Sequence, residues 1–178
     1  MKWLNRLFGG PIDMATLPAG TQAPEINLPS LEGGRFSLQA ALKGGPVLAA
    51  FYKVSCPVCQ YTFPYLERLH KAYGSKKITI VGISQDNPRD TSAFVKEYGI
   101  TFPNLLDDPH GYVVSNAYGL TNVPSLFLVG QNGQIEITSV GWVKEEVEGI
   151  NRSLAAAQQT PPPLIFQSGE EVTDFRAG

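Results

Sequence analysis

Pro46-Val47-Leu48-Ala49-Ala50-Phe51-Tyr52-Lys53-Val54-Ser55-Cys56-Pro57-Val58-Cys59 is the stretch that decides the fold of this chain. Its first seven residues form a continuous apolar run, as expected of a central strand buried on both faces. Its last four hold the only two cysteines in 178 residues. A helical pattern follows at once, with Phe63, Leu66, Leu69 and Tyr73 on one face and Gly74 suited to the C′ position. A strand that delivers two thiols to a helix start is an arrangement for reversible dithiol–disulfide chemistry. Unpaired N–H groups and the positive end of the macrodipole at that start favour a thiolate, and the thiolate is the nucleophile. The second cysteine lies one helical turn on, within reach to resolve a mixed disulfide. A structural bridge across so short a loop would remove little chain entropy. Structural zinc takes four ligands, and only His70 and His110 remain, far apart and in no ligand-like spacing.

The length suits one domain. Apolar residues make up 43% and charged residues 17%, which supports a packed core and argues against general disorder. A net charge of −2 and the lack of a basic stripe argue against a nucleic-acid partner. A secretory signal needs an apolar core of about 7–15 residues. Asn5 and Arg6 interrupt the N-terminal pattern, and no run is long enough to span a bilayer, so a cytoplasmic protein without an integral membrane segment is expected. Trp3, Leu4, Leu7 and Phe8 fall on one helical face, a candidate for peripheral membrane contact or for packing on the domain itself.

Working outward, residues 11–30 read as an extended lead-in. Gly33-Gly34 between Ile26–Leu28 and Arg35–Leu38 predicts a small hairpin, and Gln39–Lys43 one helical turn. Pro64 should kink the helix after the cysteines. Ile78–Ser84 predicts a second buried strand. Asn87-Pro88-Arg89-Asp90 is a helix start, with an N-cap, a proline at N1 and an acid at N3. Asp108-Pro109 opens a further candidate helix ending at Tyr118-Gly119. Ser125–Gly130 and Gln134–Gly141 pair around Gln131-Asn132-Gly133, with Asn-Gly as the turn. Val143, Val147, Ile150 and Leu154 mark a last helix, stopped by Pro161–Pro163. Leu164-Ile165-Phe166 and the acidic tail predict an edge strand or an arm. The order β, α, β, α, α, β, β, α specifies an α/β three-layer sandwich. The expected division is an N-terminal segment (1–17), one domain (18–157) and a proline-rich linker with a C-terminal arm (158–178).

Taken together these features resemble the thioredoxin superfamily, and most closely its redoxin branch, the TlpA/ResA-like thiol–disulfide oxidoreductases and their AhpC/TSA peroxiredoxin relatives. The resemblance covers residues 18–157. It is carried by Ala23–Leu28 with Gly33–Leu38, by Cys56-Pro57-Val58-Cys59, by Pro64, by Phe102–Asp107 with Tyr118-Gly119, and by Val123-Pro124-Ser125. It implies a thioredoxin-like sandwich with a mixed central sheet, an N-terminal hairpin and a redoxin-type insertion. It also implies a cis bond before Pro124 that presents the backbone of Val123 beside Cys56 as a substrate edge. The departures matter. Ser55 stands where thioredoxins carry a tryptophan, and Ala50 where they carry a buried acid, so proton transfer at Cys59 needs another group or water. Peroxiredoxins place a hydroxyl residue three positions before their cysteine and a proline seven before; here these are Lys53 and Ala49. Copper-chaperone relatives use a longer cysteine spacing and a distant histidine.

The expected function is thiol–disulfide exchange with protein thiols and disulfides or with a thioredoxin-type reductant. Cys56 is the nucleophile, Cys59 the resolving thiol, Val123 and Pro124 the substrate-binding loop, and Lys53 a candidate stabiliser of the thiolate. Tyr52 is expected to pack, His70 to face solvent and His110 to sit in a loop, none with a role. This chemistry requires no cofactor and no metal. Three alternatives stand beside it: a thiol-dependent peroxidase, a Cu(I) carrier using the two soft thiolates, and a non-catalytic thioredoxin-like module.

Overall fold

The computed structural model describes residues 15–74, 77–107 and 109–178. The apolar face of Trp3, Leu4, Leu7 and Phe8 and the residue Asp108 lie outside them. The chain folds around a five-stranded mixed sheet. At its centre is β3 (Val47–Tyr52), with all six residues buried. Side chains alternate across a strand, so this one strand feeds two cores. Leu48, Ala50 and Tyr52 enter one, and Val47, Ala49 and Phe51 enter the other.

On one side β3 runs parallel to β4 (Thr79–Ser84), and β4 parallel to β5 (Asn104–Leu106). On the other it pairs antiparallel with β6 (Ser125–Val129), which pairs antiparallel with β7 (Ile135–Val140). The sheet order is therefore β5-β4-β3-β6-β7. Two long helices, α2 (Pro57–Tyr73) and α5 (Lys144–Ala157), contribute Phe63, Leu66, Leu69, Val147, Ile150 and Leu154 to the first core, together with Phe94 of α3 (Pro88–Glu97). The opposite core is closed by the hairpin β1 (Asn27–Pro29) and β2 (Arg35–Ser37), by α1 (Leu38–Leu42) and by α4 (Val113–Ala117). The result is the α/β three-layer sandwich that the element order predicts, in the thioredoxin-like arrangement with a mixed central sheet that the resemblance implies. No helix among the described residues is long and apolar enough to cross a membrane.

The helix starts follow their local chemistry. Asn87 Oδ1 accepts the Asp90 N–H at 2.9 Å, and Ser37 Oγ accepts the Ala40 N–H at 3.3 Å. α2 runs through Pro64 as one helix of 17 residues.

Two elements differ from expectation, and of the two readings of the C-terminal segment the arm is the one found. β5 has only three residues, too few to show a period, and its first, Asn104, is a buried polar residue. Its side chain accepts from the Tyr52 hydroxyl at 2.7 Å and donates to Phe102 O at 2.9 Å, which satisfies it. α4 starts at Val113 rather than at Asp108-Pro109. Asp107 sets that start: its buried carboxylate accepts from the N–H groups of Val114 and Ser115 and from the Ser115 hydroxyl. An acid six residues upstream of the helix lies outside any local capping rule. In the arm, Leu164–Phe166 is no strand. Ile165 is buried in the first core, Phe166 packs on it, and Leu164 is 97% exposed. The arm's strand is β9 (Phe175–Arg176), paired antiparallel with β8 (Trp142–Val143). Arg68 fastens the arm, donating to Ile165 O at 2.9 Å and to both oxygens of Glu170 at 2.7 and 2.8 Å.

Candidate active site

Cys56 is the N-cap of α2 and Pro57 its first helical residue. This geometry follows from the sequence, because proline at N1 gives up an N–H that would have no partner anyway. The Cys56 sulfur accepts the Cys59 N–H at 3.2 Å and lies 3.4 Å from the Val123 carbonyl oxygen, to which its S–H donates. Both cysteines are free thiols; Cys56 is half-buried and Cys59 fully buried. Burial pushes the Cys59 thiol well above its ordinary range, and its contact with Cys56 adds to the rise. Cys59 therefore stays protonated while Cys56 meets solvent.

The loop carrying Cys56 is held from both sides. The Val54 N–H donates to Asp86 Oδ2 at 2.8 Å, and Val54 O accepts from Gln60 Nε2 at 2.9 Å. The Cys56 N–H donates to Lys53 O at 3.2 Å. Asp86 and Gln60 were not singled out by sequence reasoning. Asp86 sits just past the C-terminal end of β4, the edge where open α/β sheets bind their ligands, and that placement is the signal that points to it.

Of the expected site residues, the fold brings Cys56, Cys59, Val123 and Pro124 together. The Val123–Pro124 peptide is cis. Pro124 O accepts the Gly141 N–H at 2.8 Å, and Ser125 Oγ donates to Asn122 O at 2.7 Å, which pins the loop at both ends. Lys53 is exposed, and its ammonium lies over the Tyr112 ring, 5.9 Å from the centroid. Tyr52 packs, fully buried, as expected. His70 does not simply face solvent: it is half-buried and meets Phe102 edge-on at 5.9 Å. His110 lies in an exposed turn.

Next to the cysteines, Tyr61 packs edge-on against Trp142 at 5.0 Å. The Arg176 guanidinium lies over the Tyr61 ring, 3.9 Å from its centroid. The arm thus reaches the rim of the site.

Comparison with known proteins agrees with this geometry. Thiol-disulfide oxidoreductase ResA of Halalkalibacterium halodurans is 31% identical over 136 residues, covering 76% of either chain. The thioredoxin domain of a thiol-disulfide oxidoreductase from Bacteroides vulgatus superposes with a TM-score of 0.69 at 26% identity, over 78% of this chain and 98% of that one. A thiol:disulfide interchange protein of the thioredoxin family from Chlorobium tepidum gives 0.65 at 26% identity, over 80% and 98%. Residues 19–138 match the AhpC/TSA family, and with the match covering most of the sandwich and both cysteines, the chain belongs to that family.

Proposed function

We infer that Cys56 and Cys59 carry out thiol–disulfide exchange with protein substrates. The chain is a thiol–disulfide oxidoreductase, and one observation carries the assignment of roles. The Cys56 sulfur stands half-exposed at a helix N-cap, while Cys59 lies buried one turn behind it with its N–H on that sulfur. In the reducing direction the Cys56 thiolate attacks a substrate disulfide. A Cys56–substrate disulfide forms, the substrate S–S bond breaks, and one substrate thiolate leaves. Cys59 then gives up its proton and attacks Cys56. The Cys56–Cys59 disulfide forms and the second substrate thiol leaves, so two electrons pass from the dithiol to the substrate. The reverse sequence oxidises a substrate dithiol.

Val123 and Pro124 serve as the substrate edge in this reading. A backbone carbonyl 3.4 Å from the attacking sulfur is placed to align an extended segment by strand pairing. A thioredoxin-type protein is the partner that would re-reduce Cys56–Cys59. Reduction of insulin disulfides by dithiothreitol, followed by turbidity, tests the assignment. Wild type accelerates the reaction and Cys56→Ser does not; acceleration by a folded Cys56→Ser protein would reassign the nucleophile.

A further inference from the structure

Residues 175–178 make contacts that the exchange chemistry does not need. β9 pairs Arg176 with Trp142 and Phe175 with Val143, and the Lys144 N–H donates to Asp174 O at 2.9 Å. Beyond β9 the chain crosses the loop that carries Val123 and Pro124. Asn122 Nδ2 donates to Gly178 O at 3.1 Å. The approach is backbone on backbone. A Cβ on Gly141 would lie 2.5 Å from Arg176 O and 2.8 Å from Gly178 N, and one on Gly178 would lie 2.8 Å from Val123 O. Gly141 has φ +76°, so glycine suits it on both counts. The Val123 carbonyl therefore faces two groups at once, the Cys56 sulfur and the end of the arm.

The grip is shallow. Residues 173–178 are all exposed, Phe175 at 61%. What holds them is a short backbone ladder, the bonds of Thr173 with the Tyr61 hydroxyl and the Trp142 indole N–H, the Asn122 bond and the Arg176–Tyr61 stack, and beyond Thr173 only the ladder, the Asn122 bond and the stack remain. Upstream the arm is tied down firmly, by buried Ile165 and by the Arg68–Glu170 pair. A segment with few buried contacts, next to one that is anchored, opens locally at low cost.

We propose that residues 175–178 are a self-docked strand that sets the substrate selectivity of the Cys56 site. The strand occupies the Val123 edge against extended polypeptides and leaves the Cys56 sulfur open to small disulfides. The proposal rests on the thiol–disulfide exchange reading. A protein substrate that pairs along Val123 must first displace the strand. A small disulfide needs only the sulfur and does not compete with it. With an open state populated at about 0.1–10%, the apparent affinity for a polypeptide is lowered by that fraction, and removing the strand restores it.

The test compares two substrates in two proteins. Deletion of residues 175–178 leaves Ile165, Glu170 and Thr173 in place. The deletion protein should reduce insulin with kcat/KM about tenfold or more above that of the full chain. Its rate with 5,5′-dithiobis(2-nitrobenzoate) should be unchanged. Equal rates with insulin, a slower insulin rate, or a parallel rise with both substrates would overturn the proposal. Failure of the exchange reading looks different, since both proteins would then leave insulin reduction at the dithiothreitol background, whereas equal rates above that background overturn the proposal alone. Should the deletion protein fail to fold, Arg176→Ala, which removes the stack on Tyr61 and the bond to Thr173 Oγ1, carries the same test with a smaller rise. A second readout is amide hydrogen exchange in a Cys59→Ser mixed disulfide with an insulin-chain peptide. Residues 174–178 should lose protection there; protection equal to that of the free protein contradicts displacement.

Discussion

Two thiols one turn apart meet opposite environments. Cys59 sits fully buried in the first turn of α2, and burial holds its proton on well past the range of an ordinary thiol. An unfolded chain has no such constraint and loses that proton near pH 8.5. The folded state then binds more protons than the unfolded state, so stability falls as pH rises above that point. In reduced Cys56→Ser, where Cys59 is the only thiol, unfolding free energy should fall by up to about 1.4 kcal/mol per pH unit above pH 8.5. The Cys56→Ser/Cys59→Ala double variant should lack that slope, and parallel urea-midpoint curves for the two would show that Cys59 ionises freely. At neutral pH iodoacetamide should label Cys56 of the reduced wild type well before Cys59; the opposite order would reverse the two roles. A third residue bears on peroxide. Lys53 stands three positions before Cys56 with its ammonium over Tyr112, and Ala49, seven before, is buried in β3. Neither is the hydroxyl residue or the proline that the peroxiredoxin resemblance would require at these positions. Stopped-flow consumption of hydrogen peroxide by the reduced protein should therefore stay near that of a free thiol. A rate orders of magnitude higher would favour the peroxidase reading.

Among the elements, β4 must pass closely beneath its neighbours. A Cβ on Gly82 would lie 2.4 Å from Asn104 Oδ1 and 3.2 Å from the Tyr52 ring, on either side of the Tyr52–Asn104 hydrogen bond. Gly82→Ala should cost about 1–3 kcal/mol through overpacking, read from the urea midpoint; a neutral change would mean that β5 can shift aside. The arm answers to acid. The Arg68 guanidinium, bonded to both oxygens of Glu170, holds that carboxyl at about 2, below the ordinary carboxylate range. Its hold on the arm is thus complete above about pH 4 and lost as pH falls through about 2. Amide exchange in residues 165–176, corrected for intrinsic rates, should rise over that window, and Glu170→Gln should show the same loosening already at neutral pH. What could be read from the sequence follows the same physics. β3, α2 and α3 carry their signals locally, in an apolar run, a helical stripe and an Asn-Pro cap. β5 and α4 depend on Asn104 and Asp107, buried polar residues whose partners appear only after folding. The arm's contacts with Tyr61, Arg68 and Trp142 join residues about a hundred or about thirty positions apart, as Tyr61–Thr173 and Trp142–Thr173 do. No local pattern records such pairings.

At the scale of the whole molecule, the sheet order puts the ends of β3 and β4 and the start of β6 at one edge, and the chemistry gathers there. β3 delivers Cys56, the residues after β4 deliver Asp86 to brace the Cys56 loop, and the loop before β6 delivers the Val123 carbonyl. The dithiol was legible from sequence because its two residues lie only three positions apart in the chain. The brace and the covering strand were not, because they come from elsewhere in the chain. This architecture makes one claim above the others, that a half-exposed Cys56 attacks and a buried Cys59 resolves. Trapping measures it most directly. Each single-cysteine variant is incubated with a protein disulfide, and the products are separated on non-reducing gels with mass-spectrometric assignment of the linked residue. Cys59→Ser should accumulate a stable mixed disulfide through Cys56, and Cys56→Ser should accumulate none. A stable adduct through Cys59 in the folded Cys56→Ser protein, with none through Cys56 in the other, would contradict the account.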